Sequence, residues 1–409
     1  MAWGADPDDG ERVSFERLWE ELRPLGRADS GGYRRFTWTP ADLDARAWFA
    51  DTARGLGLDV EVDRNGNQWA WWGSGGDAVV TGSHLDSVPD GGAFDGPLGV
   101  VSSLSAVALL KARGVAPGRP LAVVNFVEEE GARFGVPCLG SRLLTGAVAP
   151  SRAQDLRDSD GVTWAEAMTG ADLDATRLGA DPERLARIGT FVELHVEQGR
   201  GLVDANAPVG VASAIWPHGR WRFEFAGEAN HAGTTRLADR RDPMLTFAET
   251  VLGAREQASL AGALATFGRV SVEPNGTNAI ASLVRAWLDS RAPDASALAR
   301  VVQGVTELAA ERGDRDGVKV TVTPESETPV VEFNADLRDE VAGLAGGAPI
   351  LPTGAGHDAG VLSAHVPTAM LFVRNPTGVS HAPGEYAGPD DCLAGVEALT
   401  TVLEHLVTR

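Results

Sequence analysis

Apolar residues along this chain follow two rhythms, and the change between them divides it. In the outer parts, short continuous apolar runs alternate with a longer stretch of helical spacing. Ala78-Val79-Val80-Thr81, Leu121 to Val127, Phe191-Val192-Glu193-Leu194 and Ala369-Met370-Leu371-Phe372-Val373 read as buried strands. Residues 98–113 carry apolar side chains at helical spacing and stop at Gly114. Strands alternating with helices predict an α/β fold with a mostly parallel sheet covered on both faces. Trp69, Trp71 and Trp72 lie in a further strand-like stretch and read as core and edge packing.

The middle is different. Trp221-Arg222-Phe223-Glu224-Phe225 alternates apolar and polar, as a strand with one wet face does. Helical spacing follows over 242–260, then strands over 266–272 and 283–292, a helix over 295–312 and a strand over 318–322. That order, strand-helix-strand-strand-helix-strand, is the split βαβ pattern. The predicted organisation is a larger domain in two pieces, 1–212 and 328–409, interrupted by a small α+β domain over 213–327. Residues 150–190, charged and rich in Ala, are predicted to form short surface helices.

Composition narrows the function. With 409 residues, 43% of them hydrophobic, two cores are expected. A formal net charge of −21 argues against a nucleic-acid surface, which needs clustered Lys and Arg. No stretch has a membrane-spanning apolar length. Residues 1–9 lack a basic segment followed by an apolar run, so no secretory signal is expected. Two cysteines are too few for a disulfide framework, which fits a cytoplasmic setting. Cys138 reads as a small packed residue.

The candidate chemistry follows the strands. Gly82-Ser83-His84-Leu85-Asp86-Ser87-Val88-Pro89 comes after the first, and its loop runs on to Phe94-Asp95-Gly96. Glu128-Glu129-Glu130-Gly131 follows the second, His195-Val196-Glu197-Gln198-Gly199 the third, and Gly378-Val379-Ser380-His381 the fourth. In open α/β sheets ligands bind beyond the carboxyl ends of the strands. A lone His at a strand end is usually packing. Imidazoles and carboxylates converging on one edge make a divalent metal site of mixed N and O ligands. One carboxylate can bridge two ions, and Asp95, on a Gly-flanked turn, could be placed so. Asp86, two residues after His84, is the expected acceptor for its second ring N–H and is counted with the catalytic residues. His357-Asp358 reads as an outer pair or a helix start, with Asp358 as N-cap.

These motifs, together with Glu128-Glu129-Glu130-Gly131-x-Arg133-Phe134, Asn230-His231-Ala232-Gly233-Thr234-Thr235 and Gly354-Ala355-Gly356-His357-Asp358-Ala359, carry a resemblance. From about residue 63 to 383 the chain resembles the amidohydrolase branch of the dinuclear metallopeptidase family that includes aminoacylase and carboxypeptidase G. Allantoate amidohydrolase, N-carbamoyl-L-amino-acid hydrolase and β-ureidopropionase belong to that branch. The resemblance implies a catalytic domain with a mixed, mostly parallel sheet, and a ferredoxin-like βαββαβ insert serving as lid and homodimer contact. It implies two divalent ions per subunit, Zn or Mn, with Co or Ni as alternatives. His84 and His195 would hold one, Glu130 and His381 the other, with Asp95 between them. Glu129 would be general base and acid. His231 would stabilise the oxyanion in the partner's site and contact substrate. Gln198, Asn278, Arg291 and Gly356 would be further substrate contacts, Arg291 pairing with a carboxylate. The implied substrate is a small ureido carboxylate. Allantoate stands first, giving ureidoglycine (ureidoglycolate), ammonia and carbon dioxide; N-carbamoyl-L-amino acids or N-acyl amino acids are the alternative. Arg236-Leu237 stand where the branch usually has Pro-Met, which touches substrate choice.

Rival classes lack their marks. No Gly-x-Gly-x-x-Gly follows the first strand, and no Gly-x-Ser-x-Gly elbow occurs. A non-catalytic relative would have lost a ligand or Glu129, and all are present.

Overall fold

The computed structural model describes residues 14–409. The reading of residues 1–9 as free of a secretory signal lies outside the described residues. Two compact units emerge. One comprises the described residues up to Ser213 together with Glu332–Arg409; the other is Ala214–Val331. In chain order the main strands are β1 (Asp59–Val62), β2 (Gln68–Trp72), β3 (Ala78–His84), β4 (Leu121–Phe126), β5 (Ile188–Val196) and β6 (Val209–Ile215). In the smaller unit follow β7 (His218–Ala226), β8 (Leu264–Glu273), β9 (Leu283–Arg291) and β10 (Lys319–Thr328). β11 (Ile350–Thr353) and β12 (Thr368–Val373) return to the larger unit.

The large sheet runs β1-β2-β4-β3-β5-β12-β6, with β11 also pairing β6. Its centre, β4-β3-β5-β12, is parallel, and β1, β2 and β6 join antiparallel. Central strands buried on both faces need continuous apolar runs. β3, β4 and β12 are buried at every position. The helix Pro97–Ala112 is apolar on nearly every side, because it packs on β3 and β5 and beneath the helix Pro389–Thr408. Trp69 and Trp71 are buried in β2, as read from sequence.

The smaller unit has an antiparallel sheet ordered β10-β7-β9-β8. β9 alternates half-buried and buried residues; its buried Val284, Ala286 and Leu288 share a core with Val301, Val305 and Ala309 of the helix Ala295–Asp316. The split βαβ order is present. The helix expected to end at residue 312 continues to Asp316. Gly313 is not its stop: a Cβ there would run into the Val318 carbonyl, so the helix uses glycine to approach its own outgoing strand. Gly317, at φ +66°, is the stop.

The helices expected over 150–190 are short (Pro150–Gln154, Trp164–Gly170 and Pro182–Leu185) and mostly exposed, but one of them carries a buried anchor. Trp164 is fully buried against Trp38 and Phe134, with Leu139, Leu143 and Met168 around them in a separate core cluster. The aromatic in an otherwise charged stretch is what anchors it. No helix among the described residues is long and apolar enough to cross a membrane.

Candidate metal centre

The expected ligands meet because of strand register. β3 and β5 pair in parallel with Thr81 opposite Val192. Carried three residues on, that register sets His84 level with His195. Both imidazoles are buried, 5.9 Å apart between ring centres. The strands run further than the apolar pattern suggests, so both residues occupy strand ends instead of the loops beyond. On the far side of β3, β4 ends at Phe126 and delivers Glu128-Glu129-Glu130. On the far side of β5, β12 leads to His381.

Asp95 sits among them. Its Oδ1 is 3.3 Å from His195 Nε2 and 3.7 Å from His84 Nε2. Its Oδ2 is 3.3 Å from His381 Nε2, and that nitrogen is 3.7 Å from Glu130 Oε2. Two ligand groups result, His84–Asp95–His195 and Asp95–Glu130–His381, each with its donor atoms within 4.8 Å of one another. Gly96 makes the close approach feasible. It has φ +85°, and a Cβ there would enter the His84 ring.

The residues fit a metal pair on their own chemistry. Among the described residues, His84 Nε2 and His195 Nε2 are buried and make no hydrogen bond. Leaving such atoms unpaired costs about 1–3 kcal/mol each, a penalty that a cation removes. Their other ring nitrogens are committed: His84 Nδ1 lies 3.1 Å from the Asp86 carbonyl, and His195 Nδ1 lies 3.0 Å from the Val196 carbonyl. These contacts aim Nε2 at Asp95.

Electrostatics point the same way. Burial, reinforced by Asp358 and Glu130 against the pull of His84, lifts Glu129 well above the usual carboxylate range. Burial and the Asp95 charge raise Glu130 to about 7. Burial opposes the ionised form of Asp95, yet the facing imidazoles of His195 and His381 hold it well below its ordinary value. The Asp95 hydrogen bond, reinforced by Glu130, raises His381 to about 9 despite burial. A buried site with this many carboxylates is built to be neutralised by cations.

Asp86 faces His84, as expected, and has a second set of partners. Its carboxylate is 3.5 Å from His84 Nδ1, and the nearer acceptor for that ring is its own carbonyl. The carboxylate also accepts the backbone N–H groups of Glu129 at 3.2 Å and Glu130 at 3.1 Å. It holds the two acidic residues that follow β4. Glu129 Oε2 lies 3.6 Å from His84 Nε2, and the Cys138 thiol donates to its Oε1 at 3.2 Å. Cys138 is packed, as expected, but it packs on this carboxylate.

Asp358 is not an N-cap. His357 holds that position, and Asp358 opens the helix Asp358–Leu362, fully buried and hydrogen-bonded by Ser141. The His357 ring lies 4.5 Å from that of His195. Sequence reasoning missed Glu193, a buried carboxylate accepting from Ser83 Oγ at 2.7 Å and from the Ala359 N–H at 3.0 Å. A charge inside an apolar strand, two residues before His195 and so on the same face, was the available signal. Glu385, buried behind the Asp95 loop, was also missed.

Gln198 Nε2 is 2.8 Å from Asp95 Oδ2 and 3.0 Å from Ser380 Oγ, so it belongs to the cluster. Gly356 is exposed beside His357. His231, Asn278 and Arg291 belong to the smaller unit. A short antiparallel pairing, Asn230–His231 with Ala279–Ile280, and an Ala232 N–H bonded to the Asn278 carbonyl hold the first two side by side. Arg291 ends β9, and its Nε donates to Asp289 at 2.9 Å.

Two ligand triads joined through one aspartate, at the carboxyl ends of parallel strands, invite comparison with known proteins. The profile for Peptidase family M20/M25/M40 matches residues 80–405. The chain belongs to this family. Among its relatives in the family, an N-carbamoyl-L-amino acid amidohydrolase of Geobacillus stearothermophilus is 38% identical, over 95% of this chain and 97% of that protein. An allantoate amidohydrolase of Escherichia coli (strain K12) is 30% identical, over 97% and 98%. A solved amidase of the hydantoinase/carbamoylase family from Burkholderia vietnamiensis superposes with a TM-score of 0.86 at 28% identity, covering 97% of this chain and 98% of that one. The M20 family is typically metal-dependent, and the two triads, with a third group of Glu193, His195 and His357 beside them, are candidate ligand groups for a metal.

Proposed function

We propose that this chain is a cytoplasmic amidohydrolase that uses two divalent ions to cleave the ureido C–N bond of a small carboxylate. The observation that carries this reading is the shared Asp95 between two ligand triads, with the buried Glu129 beside them. His84 and His195 would hold one ion, Glu130 and His381 the other. When bound, such a pair makes water acidic near neutral pH and polarises a carbonyl oxygen. Zn, Mn, Co and Ni all suit the donor set.

The chain's own residues do the rest. Glu129 accepts the proton of the attacking water and returns it to the leaving nitrogen. Asp86 fixes Glu129 and Glu130 through their backbone. Arg291, a planar fork steadied by Asp289, pairs with the substrate carboxylate. Gln198, Asn278 and Gly356 orient the remaining polar groups. His231 donates to the oxyanion, a role worth about 10²–10³ in rate.

Allantoate, giving ureidoglycine (ureidoglycolate), ammonia and carbon dioxide, is the first substrate reading. The 38% identical relative named for N-carbamoyl-L-amino acids favours a second. Ammonia release by chain reconstituted with Mn²⁺ or Zn²⁺ separates them, on allantoate against a panel of N-carbamoyl-L-amino acids, with N-acetyl amino acids alongside. Allantoate turnover is expected on the first reading and amino-acid release on the second. Silence on every ureide would sink the proposal. In the same assay Arg291→Ala is expected to raise KM, and an unchanged KM removes Arg291 from the pocket.

A homodimer completes this reading, with His231 serving the partner's site. Its support is the insert's apolar surface: Leu245, Leu252 and Leu260 on the helix Pro243–Ala261, and Leu264 and Val270 on the edge strand β8, are exposed. An exposed edge strand and apolar helix in one unit ask for cover. Light scattering is expected to give twice the chain mass. A fully active monomer would remove His231 from this role.

A further inference from the structure

The segment that follows the last ligand reaches back to the Asp95 loop. Glu385, four residues after His381, is 4% exposed. Its Oε1 accepts two successive backbone N–H groups, those of Phe94 and Asp95, each at 2.9 Å. A single carboxylate oxygen thus grips the peptide that carries the shared ligand, across about 290 residues of sequence. The neighbouring side chains repeat the grip: Tyr386 meets the Phe94 ring edge-on at 5.9 Å, and Trp19 stacks on that ring at 4.7 Å. Gly92 makes room. A Cβ at that position would collide with the Glu385 carboxylate. On its own side, Glu385 is tied to the His381 turn by its N–H on the Ala382 carbonyl at 3.0 Å.

We propose that Glu385 is a positioning residue that clamps the Asp95 loop to the His381 turn, so that Asp95 and His381 present their donor atoms to a metal at a fixed spacing. Glu385 offers no donor to either ligand triad, and its hydrogen bonds reach the ligands through the backbone. The proposal rests on the metal-centre reading above.

The charge and the shape of the clamp can be separated. Glu385→Ala removes the acceptor and leaves two buried N–H groups unpaired. Glu385→Gln keeps an acceptor oxygen in place. Gly92→Ala pushes the carboxylate away without touching it chemically. Calorimetric titration of the metal-stripped full chain with Mn²⁺ reads the effect without relying on turnover. Glu385→Ala is expected to bind Mn²⁺ about 10–100-fold more weakly than wild type, the range typical when a partner behind a metal ligand is lost. Gly92→Ala is expected to move in the same direction, and Glu385→Gln to stay within about threefold, since one oxygen can accept both bonds. Should Glu385→Ala fail to fold, Gly92→Ala decides. Undiminished Mn²⁺ affinity in Glu385→Ala or in a folded Gly92→Ala overturns the clamp alone, even if thermal stability drops. A wild-type chain that takes up none of Mn²⁺, Zn²⁺, Co²⁺ and Ni²⁺ overturns the metal reading and the clamp with it.

Discussion

Glu129→Gln is expected to keep its metal and lose turnover, with kcat falling by about 10²–10⁴. Glu129 belongs to neither ligand triad. Its carboxylate faces His84 on one oxygen and the Cys138 thiol on the other, inside a buried pocket. Glutamine has the same shape and can still accept from the thiol, so packing is conserved. What it cannot do is take a proton from water and give it up again. Burial with Asp358 and Glu130 nearby favours the protonated acid before metal arrives, and a bound cation would shift that balance back toward the carboxylate. Metal content measured beside kcat and KM distinguishes the outcomes. Lost metal would make Glu129 a ligand or a structural support. Retained metal with near-normal kcat would end its role as base.

Asp95→Ala is expected to abolish activity and to reduce metal content in both triads together. Asp95 is the residue that these two triads share, while His195 also stands in a third group with Glu193 and His357. Removing it also removes the charge that His195 and His381 face at 3.3 Å. The loss in affinity should exceed the 10–100-fold range of outer partners. Elemental analysis after dialysis, read against His381→Ala, is the informative comparison. His381→Ala touches one triad and is expected to retain one ion. An Asp95→Ala chain holding two ions would show that the triads do not depend on a shared ligand.

How far the residues alone predicted this arrangement depends on distance along the chain. The strand ends were readable because β3, β4, β5 and β12 are uninterrupted apolar runs, and each leads into a His or an acid. The insert was readable because β7 and β9 alternate with period two between helices capped by Gly262 and Gly317. What local pattern could not show was pairing between distant segments. Asp86 is legible as a partner for the ring two residues away; that its carboxylate also reaches across to the Glu129 and Glu130 backbone is not. Asp358 had the composition of a cap, yet it lies one residue inside its helix, against Ser141. Glu385 follows no periodicity, and its meaning depends on a loop about 290 residues earlier. Trp164 sat in a charged stretch, and its burial depends on Trp38, far upstream.

The position of β12 has a consequence for how the molecule comes into being. In the sheet it lies between β5 and β6, although it is made long after both and after the whole insert. A nascent chain that has reached the end of the insert holds His84, Asp95, Glu130 and His195 and can complete one triad, while the second waits for His381. Domains tend to fold in the order they are synthesised. The insert can therefore settle early, as a closed piece with its own core, while the larger sheet keeps an open slot for its late strand. A chain stopped before residue 368 would carry one of the two triads and an unfilled gap in its sheet. Completion of the Asp95–Glu130–His381 triad would then report that β12 has been made and inserted.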